Sequence, residues 1–600
     1  MKKRIKRKNI EPVLADVRRG KERDEFPRPP KKLKSFESKP KPIIFRRKSS
    51  SPKIVLISAI ALSVFILASA GFLFFQARIV ESLGKNESQS FGSLVKHLNP
   101  FFPAASTFSG GTPPAEEAGQ TNLLNKIIYS FNSIESTIAD FNGLGNLMTS
   151  LNNDADLIRN NWFELAFSSS GNGLGTLLKQ TASDFDRFSQ LNAKLKNKLS
   201  LSQNNSGPSS FVANLDLNQV EKAVLGLNDL TTGSKHLAIV FENSSELRPT
   251  GGKIESYADL SFQNGRVENI DVQNITHPDS LLPLKVLPPA ELADAGKWGA
   301  GDANWFLDFP TSAAKVLSFL NASTLYSNRG IQFAGLVSMD TKALSDFIGG
   351  VDPSLMPAIP AFLTDNSYLV KTLPEAVKEE PSLTPDRKSE LFGNLESDFL
   401  SKDIMVYFTN PALETFLQSN GVDGSTFIVP YDFNGDYLGI ANANPASPYK
   451  IINLTEAVTL KSQIDLSGSV TNDLVVANTY GSSVKWYRGN QSDFIRIFTP
   501  PAANLVSLSG ESDTLNSISG YAPPGYIADP TLEAMAKSLT SLSQFHAQQF
   551  TESGLNVFSA WFNTPVSATH RLHLNYVSAR LKPPVSGEVF QFVFDKQAGV

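Results

Sequence analysis

Asn243-Ser-Ser-Glu-Leu-Arg-Pro-Thr-Gly-Gly252 stands between an apolar run, Leu237-Ala-Ile-Val-Phe241, and an alternating stretch, Ile254 to Leu260. The first flank has the composition of a buried strand and the second the period of a half-buried one, so the ten residues form a loop between two strands. Gly251 and Gly252 supply backbone freedom and exposed N–H groups, and Arg248 supplies a planar, permanently charged fork. Arg248, Thr250, Gly251 and Gly252 are therefore a candidate site for a phosphate or carboxylate. A structural arginine that caps a turn is the competing reading.

Strands and helices alternate outward from this loop. Val220 to Leu230 reads as a helix, and Ile254 to Phe262 with Val267 to Val272 read as a hairpin across Asn264-Gly265, a strong turn signal. Thr311 to Leu320 is expected to be a helix beginning after Asp308-Phe-Pro310, Phe333 to Ser338 a strand, and Thr341 to Ile348 and Glu390 to Phe399 helices. Alternation of this kind marks a layered α/β domain, placed at residues 206–445. After it strands dominate, at Ala457 to Ile464, Val470 to Asn478, Phe494 to Phe498, Arg571 to Val577 and Val589 to Phe594. Leu572, Leu574 and Tyr576 share a face, as do Phe590, Phe592 and Phe594, so residues 446–600 are expected to be a β-sandwich-like domain that buries one face of each strand.

Ile54 to Phe75 is an unbroken run of 22 residues without charge or proline. A helix of that length covers the roughly 30 Å hydrocarbon core of a bilayer. Residues 1–53 hold 20 Lys or Arg against 6 Asp or Glu, an excess of 14 positive charges, and with the chain at −3 overall residues 54–600 carry −17. The basic side stays in the cytoplasm, so the C-terminal domains are expected to be extracytoplasmic and the protein a single-pass, type II protein of the cell membrane. Ala68-Ser-Ala70 resembles a signal-peptidase site but lies inside the apolar run, and the basic leader is much longer than a signal peptide's. The leader has too few apolar residues to fold, and its charges suit anionic headgroups better than nucleic acid. Membrane lipid is thus the expected partner of residues 54–75 and of the tail.

Residues 76–120 read as a linker ending in Ser109-Gly-Gly-Thr-Pro-Pro-Ala115. Between 121 and 205, Leu124, Ile127, Phe131, Ile134, Ile138 and Phe141, and then Leu178, Phe185, Phe188, Leu191, Leu195 and Leu199, recur at helical spacing, which predicts a helical stalk. The chain contains no cysteine, which excludes disulfides, thiolate metal sites and thiol nucleophiles and favours a bacterial envelope protein stabilised by core burial. No metal site is expected. His570 and His573 point to opposite faces of a strand, and Asp432, Asn434 and Asp436 lack the glycine and glutamate a calcium loop requires.

Asn243 to Gly252, Gly301-Asp-Ala-Asn-Trp305 with Asp308-Phe-Pro310, and Gly335-Leu-Val-Ser-Met-Asp340 with Ile348-Gly-Gly-Val351 resemble the domain of unknown function 4012 family of bacterial membrane-anchored proteins. The resemblance continues through Asp386-Arg-Lys388, Asp436 to Asn444, Trp486-Tyr-Arg488 and Ile497-Phe-Thr-Pro500. Two departures are Gly301, where a basic residue is expected, and Pro445-Ala-Ser-Pro448, where a Lys-Ser-Asp run is common. It implies an envelope protein of uncharacterised role, read here as a binding or assembly module at the cell surface. The order of elements is also similar in plan to LytR-CpsA-Psr phosphotransferases, which move glycopolymers from a polyprenyl pyrophosphate carrier to the cell wall. That similarity would cast Arg248 and Arg387 as pyrophosphate clamps and Asp302 as a Mg2+ ligand or base, with anionic glycopolymer or polyprenyl pyrophosphate as partners. The module reading needs no cofactor, and the sequence leaves catalysis open.

Overall fold

The computed structural model describes residues 173–199, 228–351, 384–419, 421–430, 433–445, 454–480, 490–512, 524–565, 568–578 and 589–600, with single positions in 140–157, at 222, 225 and 226, and at 587. The basic tail, the 54–75 run, the linker and most of the stalk lie outside these residues. Among those described, no helix is long and apolar enough to cross a membrane. From the segment expected to be a stalk, helix α1 (Leu174–Leu199) buries Leu178 and Phe188.

Strands β1 (Ser234–Asn243), β2 (Lys253–Gln263), β3 (Arg266–Asn274), β5 (Phe333–Met339) and β6 (Ile404–Phe408) form a five-stranded sheet in the order β3-β2-β1-β5-β6. β1 and β5 are parallel and every other pair is antiparallel. β2 and β3 turn at Asn264 and Gly265, both at positive φ (53° and 76°), a conformation that asparagine and glycine tolerate. Helix α2 (Phe309–Ala322) begins where the Asp308 carboxylate accepts the Thr311 N–H at 3.1 Å and Pro310 occupies the first turn. Its Ala313, Val316, Leu317 and Leu320 pack with Ala238, Val240 and Leu336 of the sheet. Helices α3 (Thr341–Val351) and α4 (Pro385–Leu400) pack on each other and against the strands near them. Helix α5 (Pro411–Ser419) follows β6.

The β-rich part is two facing sheets. One has the order β13-β14-β15-β10-β7-β17 and the other β11-β16-β9-β8. Their strands are β7 (Gly435–Ala443), β8 (Leu454–Ile464), β9 (Val470–Tyr480), β10 (Asn490–Thr499), β11 (Asn504–Ser509), β13 (Thr540–Leu542), β14 (Ala547–Glu552), β15 (Leu555–Pro565), β16 (Thr569–Ser578) and β17 (Gln591–Asp595). Leu438, Ile440, Ile495 and Phe558 of the first sheet interleave with Leu474, Val476, Leu572 and Leu574 of the second, as alternating strands of a sandwich must. The two-residue strands β4 (Lys285–Val286) and β12 (Tyr526–Ile527) pair in parallel, and helix α6 (Pro530–Ser538) follows.

Two expectations are corrected. Phe592 and Phe594 share a face, but they are 45% and 46% exposed, because β17 is an edge strand whose Val593 makes the inward contact. β7, which the sequence assigns to the segment ending at 445, is hydrogen-bonded between β10 and β17 of the sandwich. The Asp436-to-Asn444 stretch is therefore the strand that joins the segments, and Ala443, Phe494 and Trp561 share a core with Trp305 and α2.

Candidate functional site

The loop after β1 is fastened from inside. Arg248 is 3% exposed. Its Nε and Nη2 donate to Asp302 Oδ1 at 3.1 and 2.6 Å, and its Nη1 donates to Leu247 O at 2.8 Å. Asp302 ends a short 3₁₀ turn, Ala300–Asp302, whose amides are held by another carboxylate. Asp279 accepts the Ala300 and Gly301 N–H groups at 2.7 and 3.1 Å. Burial raises the pKa of Asp279, while those backbone donors hold it down. A Cβ at Gly301 would meet Ile275 at 3.2 Å and Asp279 Oδ2 at 3.4 Å, so the basic residue that the family resemblance leads one to expect there would require Ile275 to shift.

Thr250 is also turned inward. Its hydroxyl donates to Glu242 Oε1 at 3.0 Å, and Asn304 Nδ2 donates to Thr250 Oγ1, Glu242 Oε1 and Gly252 O at 2.9, 3.2 and 2.6 Å. Glu242 is wholly buried, which lifts its pKa well above the usual carboxylate range. The glycines are required here. Gly251 sits at φ 134°, and a Cβ on Gly252 would fall 2.3 Å from the Asn243 carbonyl. The Gly251 N–H is already spent on Arg248 O at 2.9 Å.

Two further parts of the chain close over the loop. Gln597 Nε2 donates to Arg248 O and to Asn442 O, each at 2.9 Å. Next to the Asp-Ala-Asn-Trp motif, Trp305 stacks on Phe494 with centroids 6.2 Å apart, and the Arg496 guanidinium lies 5.0 Å from the Trp305 ring. Arg496 Nη2 donates to Trp305 O at 2.6 Å, and its Nη1 pairs with Glu552 at 2.8 Å, both side chains being buried.

The structure thus brings Arg248, Asp302, Thr250, Gly251 and Gly252 together and gives Arg387 other partners. Arg387, exposed on α4, donates from Nη1 to Gly350 O at 3.3 Å. It shares no partner with Arg248 or Asp302 among the described residues. Glu242, Asn304, Asp340 and Gln597 were not singled out in the sequence. A charge closing an apolar strand marked Glu242, and Asn304 and Asp340 lie inside quoted motifs. Gln597, 349 positions from Arg248, gave no local signal. Among the described residues no group of three or more His, Cys, Asp or Glu could hold a metal ion.

Fold and site define an α/β protein whose signature motifs are joined by buried charge and hydrogen bonds to a β-sandwich. Residues 232–376 match the model of the family described as Protein of unknown function (DUF4012), which bears out the family resemblance over the stretches from Asn243 to Val351; the stretches from Asp386 onward lie outside the match. Searches of curated proteins and of solved structures found no match.

Proposed function

We propose that this chain is a membrane-anchored, extracytoplasmic envelope protein acting as a binding or assembly module at the cell surface. The charge-free run 54–75, the basic residues before it and the absence of cysteine support the location. Arg248 carries the choice of a module over a glycopolymer phosphotransferase. A pyrophosphate clamp needs an open fork to neutralise developing charge. Here the fork is buried and committed to Asp302 and Leu247 O, so the residue proposed as base or Mg2+ ligand is itself the arginine's partner.

Two measurements test this. Protease added to intact cells should remove the part beyond about residue 120 and spare the basic tail. Purified full-length protein incubated with a polyprenyl-pyrophosphate-linked glycan and Mg2+ should transfer no glycan. Protection of the C-terminal part sinks the location, and transfer that Arg248→Ala abolishes in a folded protein sinks the module.

A further inference from the structure

Phe241 faces Met339 in the parallel register of β1 and β5; Glu242 follows Phe241 in β1 and Asp340 directly follows the end of β5, close enough for the Asp340 charge to act on Glu242. Both are sealed, at 1% and 2% exposure. Glu242 Oε1 accepts from Thr250 and Asn304, and Asp340 Oδ1 accepts the Ala343 N–H at 2.9 Å, capping α3. The second oxygen of each acid, Glu242 Oε2 and Asp340 Oδ2, has no hydrogen-bond partner among the described residues. Both acids border one point, because a Cβ on Gly251 would lie 2.6 Å from Glu242 Oε2 and 3.4 Å from Asp340 Cβ.

Beyond the Gly252 backbone amide, which favours the charged form of Glu242, the surroundings supply little compensation. Asp403, after α4, and Asp398, within α4, face Asp340 with further negative charge, and the closing segment brings the neutral Ala598 beside Gly251. Lys342 of α3 is the nearby cation, and its ammonium is engaged by Asp346, Asp398 and Asp403. Burial raises Glu242, with the Asp340 charge adding to it, and burial followed by the Asp403 charge pushes Asp340 up to about 7. Two adjacent buried carboxylates cannot both ionise cheaply.

We propose that Glu242 and Asp340 share one proton, held as a hydrogen bond from Glu242 Oε2–H to Asp340 Oδ2, which latches the Leu247–Gly252 loop to the amino end of α3. One proton gives both orphaned oxygens a partner and leaves Oε1 and Oδ1 to their present donors. The missing Cβ of Gly251 leaves room for it. Folded, the pair keeps its proton at a pH where the unfolded chain has released it. Its contribution to stability is therefore complete below the unfolded pKa, falls as pH rises toward the raised folded value, and levels off above it. Loss of the proton sets two carboxylates against each other under Gly251 and loosens the latch.

The test is thermal unfolding of the full-length protein in detergent at about pH 4 and about pH 8. Glu242→Gln places an N–H where the proton is proposed and keeps the acceptor at Oε1. Its Tm should equal the parent's at the lower pH and exceed it by about 2–4 °C at the higher. Asp340→Asn, whose Oδ1 still caps α3, should show the same narrowing and decides the matter if Glu242→Gln fails to fold. Both variants less stable than the parent at both pH values would overturn the shared proton. A parent Tm raised by Ca2+ or Mg2+ and made indifferent to them by Glu242→Gln would overturn it too, by making the pair a cation site.

Discussion

Arg248 shows how much one residue's setting decides. In sequence a permanently charged fork beside two glycines suits an anion, and in the fold the same fork has taken the Asp302 carboxylate as its anion. Asp302 keeps 19% of its side chain exposed, so the pair sits at the edge of the core. Removing one partner of a buried pair costs about 3–5 kcal/mol, and partial exposure of Asp302 puts Arg248→Ala at about 3. Arg248→Lys should recover little, since a point charge cannot reach Asp302 and Leu247 O together. Chemical denaturation of Arg248→Ala, Asp302→Ala and the double variant measures this. The double variant should lose less than the sum of the singles, and simple additivity would mean the pair contributes nothing.

At the scale of elements, Asp308 ties the start of helix α2 to the loop at 421–430. Oδ2 accepts the Thr311 N–H at the start of α2, and Oδ1 accepts the Thr426 N–H at 3.1 Å. Asp308→Ala should therefore cost more than a lone cap, about 2 kcal/mol, and Asp308→Asn, with one acceptor oxygen for two N–H donors, should lose part of it; an Asn variant as stable as the parent would mean that the second acceptor contributes nothing. Elements whose signals are local were legible in the sequence. The apolar run of β1, the Asn264-Gly265 turn and the Asp308-Phe-Pro310 start of α2 all appear where expected, with ends moved by one to three residues. β7, β14, β15 and α6 were not legible as elements. β7 carries Gly435, Asp436 and Gly439 among its apolar residues, and its place is fixed by pairing with β10 and β17, far along the chain. The site was half legible for the same reason. The motifs named Arg248, Thr250 and Asp302, whereas Gln597 arrives through long-range pairing that no local pattern encodes.

For the whole molecule, the question is whether the α/β part and the sandwich unfold separately. The sequence places a boundary at 445, which predicts an early cut there and two transitions. Against that stand three links across the boundary. Arg496 of β10, paired within the sandwich with Glu552 of β14, holds Trp305 O, Leu307 N donates to Glu552 Oε1 at 3.0 Å, and Trp305 packs with Phe494 and Trp561 in one core. Burial raises the pKa of Glu552, and Arg496 is the first influence that lowers it. Either charge left alone would be uncompensated in a sealed interior, at about 3–5 kcal/mol. Parting the two regions exposes that ion pair and the Trp305 face together, so neither gains by unfolding first. We expect residues 232–600 to unfold in a single transition reported alike by tryptophan fluorescence and far-ultraviolet circular dichroism. Arg496→Met, which leaves Glu552 buried and unpaired, should split that transition in two, with the sandwich melting first. Two transitions in the parent, or one unshifted transition in Arg496→Met, would show that the regions are joined by contact without being coupled in stability.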